Sequence, residues 1–209
     1  MTGGSDGCQL MAGRAKQGLA MAAAAARPGD RPLARCSRVQ LETQLKDALA
    51  ARDGCAGAHC IHELWMRGEM AVRIERMLEL LWKQAADDIP EWLPMHYIEW
   101  LPTAYDVSAR CRANRRGRSN LYLVLLDYQD SRADPYGVYV GMTHYPPASR
   151  FDQHKAGIRA AGSVLRRGLE VLHGPVAHLQ GIARSEAERI EGELAEALRA
   201  AGLFVQGGH

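Results

Sequence analysis

The chain has 209 residues, enough for one full domain and a smaller second one, since domains usually run to roughly 100–150 residues. Its formal net charge of +2 and pI near 8.3 make it mildly basic, which neither demands nor excludes an anionic partner. Five cysteines at irregular spacing do not suggest a disulfide framework and point to reduced thiols in a cytoplasm, and no stretch approaches the roughly 20 apolar residues of a membrane span.

Residues 1–35 read as a disordered tail. Arg14 and Lys16 before GLAMAAAAA loosely imitate a signal peptide, but alanine makes a weak apolar core and the charged segment starts late. SRVQLETQLKDALAARDG predicts a helix, with Ser37 and Gln40 at capping-box spacing, Leu41, Leu45 and Leu49 on one stripe, and Gly54 as a stop. In CAGAHCIH, Cys55, His59, Cys60 and His62 can all bind zinc, yet their spacing is wrong for a standard finger and no second knuckle follows. HELWMRGEMAVRIERMLELLWKQAADD continues the helical period through Met70, Ile74, Met77, Leu78, Leu81 and Trp82, positions that read as core. The near-repeat EWLPMHYIEWLP carries two prolines too close for a regular helix and predicts an extended connector with anchored tryptophans. A helical region with this connector is thus expected over 36–110, and a second domain over 111–209.

RCRANRRGRSN sets Arg110, Arg112, Arg115, Arg116 and Arg118 together with no acid among them, either as a solvated linker or as a segment contacting phosphate. From residue 119 the character changes. NLYLVLLDY suits a buried strand, GVYVGM a second, and the turn-rich DSRADPYG joins them as a hairpin. PPASRFDQHKAG starts a helix with proline in its first turn and stops at Gly157; Arg150 and His154, four residues apart, share one face of it. IRAAGSVLRRGLEVLHG predicts another helical segment, PVAHLQGIA a third short strand, and SEAERIEGELAEALRAAG a closing helix. The fold class expected is α/β, a small three-stranded sheet flanked by helices, behind a mainly α-helical N-terminal region.

The closing helix opens with Ser185 and Glu188 at capping-box spacing. At about 100° per residue with Ala187 at zero, Ile190, Leu194, Leu198 and Ala201 fall within roughly −60° to +20°. Glu191 falls at about +40°, on the edge of that apolar stripe, where an acid must pair, bind a cation or surrender its charge. A salt bridge to Arg150 and a hard oxygen ligand for magnesium are the two readings.

NLYLV, then VYVGMT, then Arg150 with His154, then an Ala-x-x-x-Glu-x-x-Leu helix resembles the GIY-YIG nuclease family over about the last ninety residues. The resemblance implies a metal-dependent endonuclease hydrolysing phosphodiester bonds in DNA, or in RNA, with Mg2+ or Mn2+ as cofactor and no membrane partner. By it, Tyr122 and Tyr139 match the family's paired tyrosines, Arg150 its phosphate-clamping arginine and Glu191 its metal-binding glutamate. His154 stands near the scissile phosphate, and Tyr122, Tyr139 and His154 are unranked as the base. Met142 stands where a lysine often follows the glycine, and Gln206 is the available substitute for an asparagine after the glutamate helix. The alternative reading is a catalytically weakened nucleic-acid-binding module on the same fold.

Overall fold

The computed structural model describes residues 31–208, so the tail expected over 1–35 lies, for residues 1–30, outside the described residues; residues 32–36 form turns and a bend. The chain divides into two compact units between Pro90 and Glu91. The boundary expected near residue 110 follows composition, which changes at the arginine run, whereas packing changes at Pro90. Among the described residues no helix is long and apolar enough to cross a membrane.

The first unit is helical. Helix α1 (Arg38–Ala51) is held by the expected capping box, with Ser37 Oγ accepting from the Gln40 N–H and the Gln40 side chain accepting in return; Leu41, Leu45 and Ala48 make its buried stripe. Gly54 does not stop a helix. It opens α2 (Gly54–Met66), which Asp53 caps through the Ala56 N–H. The long helix expected from residue 62 onward is two helices, because Gly68 adopts φ +76° and breaks α2 from α3 (Ala71–Ala85). Ile74, Met77, Leu78 and Leu81 are buried as expected, but Met70 and Trp82 are largely exposed. Nearly buried Glu63 is bonded by Arg31 and Arg67 at 2.7 and 2.6 Å, and Glu69 by Arg38 and Arg73, so each buried carboxylate is paired.

The second unit opens with the irregular connector, in which Leu93 and Ile98 are buried, and α4 (Leu101–Ser108), with proline in its first turn. Strands β1 (Asn120–Asp127) and β2 (Tyr136–Thr143) form the expected antiparallel hairpin. Helix α5 (Pro147–Lys155) and α6 (Gly162–Arg167) follow, then β3 (Gly168–Val171), α7 (Arg184–Ala200) and β4 (Val205–Gly207). The sheet has four strands in the order β3-β1-β2-β4, with β4 parallel to β2, so the three-stranded expectation is corrected. The third strand also lies elsewhere: GLEV pairs with β1, while PVAHLQGIA is a loop that buries Val176, Leu179 and Ile182 and lies beside the start of β1 through the Ser119–Ile182 bridge and hydrogen bonds of Leu179 and Gln180 with Leu121. Tyr122, Val124 and Leu126 face α5 and α6 through Phe151 and Val164. Helix α7 packs on β1 and β2, burying Ala187, Ile190, Leu194 and Leu198; its N-cap is Ala183 without a side-chain bond, so the expected capping box is absent and Glu188 instead accepts from Arg184.

Candidate active site

Strand register brings the two tyrosines together. Tyr122 is opposite Gly141 and Val124 opposite Tyr139, which puts Tyr122 and Tyr139 diagonally on one face, ring centroids 5.9 Å apart. Gly141 makes room for them: a Cβ there would meet Tyr122 Cζ and Oη and Tyr139 Cε1, each at 2.7 Å. Tyr122 is 2% exposed and has nowhere to retreat. Gly141→Ala is therefore expected to destabilise the chain by about 1–3 kcal/mol through overpacking. A urea midpoint lowered at constant m would show it, and Tyr122→Phe combined with Gly141→Ala should recover part of the loss by removing one clashing atom.

His154, 1% exposed, lies against both rings, 6.1 and 5.9 Å from their centroids. The Ala161 N–H donates to Nδ1 at 2.9 Å, which assigns the neutral ring's proton to Nε2; Nε2–H then donates to Tyr122 Oη, also at 2.9 Å. Burial first, and the Arg150 charge second, push the imidazole down to about 4. His154 is thus neutral with both nitrogens engaged, and it positions Tyr122 rather than collecting a proton. Burial raises both tyrosines; for Tyr139 the hydrogen bond from Tyr122 and the Arg150 charge oppose the rise, while Glu191 adds to it. The donors therefore run from His154 to Tyr122 to Tyr139, and the Tyr139 oxygen is the accepting end.

Arg150 sits one helical turn before His154. Its Nη1 donates to Gln153 Oε1 at 3.1 Å and the Ile158 carbonyl at 3.2 Å, and its Nη2 to the Arg159 carbonyl at 2.8 Å. Three of five N–H groups are spent on these neutral acceptors, and the guanidinium also hydrogen-bonds Tyr122. The same loop, 156–161, thus grips Arg150 through two carbonyls and His154 through an amide. Sequence reasoning missed it; the only local signal was the pair of glycines flanking IRAA.

Glu191 is half-buried on α7, and the Met142 N–H is its polar contact from the strand. Burial, and then Glu188, push its carboxyl up to about 7. Among the described residues it forms no ion pair, so the salt bridge to Arg150 considered from the sequence is not made. Gln206 pairs with Tyr139 across β2 and β4 and shares its face. Because a raised carboxyl pKa favours the protonated folded state, the stability that Glu191 contributes in metal-free protein should be fully present below about pH 4.5 and be lost as pH rises through 7. Discounted for solvent screening, the loss is on the order of 1–2 kcal/mol. Urea melts in EDTA at pH 5 and pH 8 check this against Glu191→Gln, which should lack the slope; His154, whose lowered pKa acts with opposite sign below 6.5, cancels in that difference.

Arg110, Arg112, Arg115, Arg116 and Arg118 are all exposed, and none forms an ion pair among the described residues; Arg115 donates to the Gln180 carbonyl at 3.3 Å. Cys55, His59, Cys60 and His62 lie along α2, but no three metal-ligating side chains are grouped to hold an ion among the described residues. Burial pushes the Cys60 thiol up to about 12, the wrong direction for a thiolate ligand. No family model, curated protein or solved structure matches the chain.

Proposed function

We propose that the second unit is a GIY-YIG-type endonuclease that hydrolyses phosphodiester bonds in DNA with a divalent cation. One observation carries the reading: Arg150 and Glu191 both act on Tyr139, yet neither has an ion-pair partner among the described residues. The site lacks an anion for the first and a cation for the second. A phosphodiester with its metal ion is both.

The donor set suits Mg2+ or Mn2+, which bind through one or two carboxylates completed by waters and phosphate oxygens. Glu191 would hold the ion, with the Tyr139 hydroxyl on the facing strand and Gln206 as that tyrosine's neighbour on β4. When bound, the ion supplies charge stabilisation at the phosphate and the leaving oxygen. Arg150 clamps the phosphate through its charge and the N–H not spent on protein acceptors. Tyr139, at the accepting end of the hydrogen-bond chain, ranks ahead of Tyr122 and His154 as acceptor of the attacking water's proton. Neutralising Glu191 removes one opponent of Tyr139 ionisation. The exposed arginines at 110–118 suit contacts to backbone phosphate, which bind without reading sequence.

The weakened binding module is the second reading, and one observation favours it: Tyr122 and Tyr139 are raised and His154 is lowered, so each of the three candidate bases is shifted away from neutrality. Supercoiled plasmid incubated with the protein in Mg2+, Mn2+ or EDTA decides between them. Metal-dependent nicking supports the nuclease; intact plasmid in every condition, with a salt-sensitive gel shift retained, rejects it in favour of the module.

A further inference from the structure

Beside Tyr139 opens a cavity of about 600 Å³ that runs on from Tyr139 and Gln206 to residues the hydrolytic arrangement does not use. Its lining residues include Tyr139, Tyr128, Ser163, Arg166, Arg167 and Gln206, with no acid among them. We infer that this cavity takes one unstacked nucleotide next to the scissile phosphate, and that the DNA this site cuts is single-stranded, flapped or branched there. The inference rests on the nuclease reading for the word scissile, and on the cavity alone for the nucleotide.

The volume lies within the roughly 300–1,000 Å³ of small-ligand sites. Two aromatic walls suit a base, because every base presents a π-face and stacking is indifferent to sequence. Tyr128 is fixed in place: Phe204 packs perpendicular to it at 4.8 Å and the Arg167 guanidinium lies over its ring at 4.5 Å. Arg167 is itself held by Asp130 at 2.7 Å and the Asp127 carbonyl at 2.8 Å, so its charge is spoken for. Arg166 differs. It is exposed, has no hydrogen bond or ion pair among the described residues, and lies over Gly162, where a Cβ would come within 3.4 Å of its guanidinium. An unpaired cation at the mouth of an acid-free, aromatic-walled cavity fits a nucleotide phosphate. Gln206 can donate and accept, so it meets any base edge. A base stacked in duplex DNA reaches such a pocket only after unpairing, whereas an unpaired one enters without that cost.

The test uses the full chain as wild type, Arg166→Ala and Arg166→Lys. In EDTA, fluorescence anisotropy with a labelled oligothymidylate and with a fully paired hairpin should show about a tenfold weaker single-strand affinity for Arg166→Ala, with partial recovery in Arg166→Lys. Hairpin affinity should stay within about twofold, because duplex phosphates are met by the arginine stripe instead. In Mg2+, a flapped duplex should be cut at least about tenfold faster than the same sequence fully paired. Matching thermal melts of the variants and wild type check that the fold survives, as an exposed unpartnered side chain predicts. Equal oligothymidylate affinity in wild type and Arg166→Ala, or equal cutting of flapped and paired DNA, overturns the inference and leaves the nuclease reading standing. Arg166-dependent single-strand binding without cleavage of either substrate keeps the pocket and removes the nuclease reading.

Discussion

Glu191→Ala is expected to lower metal-dependent nicking by a factor on the order of a thousand or more, while DNA affinity measured in EDTA stays within about twofold or improves. The carboxylate is the one charge on α7 turned toward Tyr139 and the Met142 amide, and it forms no ion pair among the described residues. The Met142 N–H is thus the contact that favours its negative charge, and burial outweighs it. The apolar face that docks α7, formed by Ala187, Ile190, Leu194 and Leu198, is untouched by the substitution. Glu191→Gln keeps the shape and loses only the charge, so it should be as inactive as Glu191→Ala. Both variants should be more stable than wild type at pH 8 in EDTA, because the desolvated charge that burial disfavours is gone. Activity falling while stability rises is the pattern of a ligand-binding acid. An inactive variant that also melted earlier would show instead that Glu191 holds the helix, and would remove the cation-site reading.

The elements around the site were legible where pattern and chemistry agreed. NLYLVLLD and YGVYVGMT are long apolar or alternating runs with a turn-rich break, and they pair as a hairpin. Proline opened α5, and helical spacing put Arg150 and His154 on one face and Glu191 at the edge of α7. Short elements failed. GLEV is four residues at the end of a helical pattern and FVQGG carries only a three-residue strand; neither is long enough to show a period, and both are fixed by pairing with β1 and β2. PVAHLQGIA has the composition of a strand but finds its burial as a loop. Met70 and Trp82 met the helical spacing at the margin of the stripe and lie outside the buried face. Within the site, residue types identified which side chains meet, but not what each does. The protonation of His154 is set by the Ala161 amide and the grip on Arg150 by the carbonyls of residues 158 and 159, and backbone groups leave no mark in side-chain spacing.

Arg150→Ala should reduce cleavage by about a hundred- to a thousandfold, with the requirement for metal retained. The guanidinium is held at its edge by Gln153 and the two loop carbonyls, so its remaining N–H groups are fixed in direction before a phosphate arrives. That preorganisation is what a flexible ammonium lacks, and Arg150→Lys should recover little, since it can satisfy neither both carbonyls nor a second phosphate oxygen. A further readout separates this role from simple folding support. Arg150 lowers Tyr122, Tyr139 and His154 alike, so its removal should move any residual pH–rate profile to higher pH as Tyr139 becomes harder to ionise. Glu191→Ala should do the reverse to Tyr139 and abolish the response to added metal. The two variants thus differ in kind. Arg150→Ala keeps saturable activation by Mg2+ at a low rate and shifted pH, and a variant with wild-type cleavage or an unshifted profile would show that the phosphate is met elsewhere.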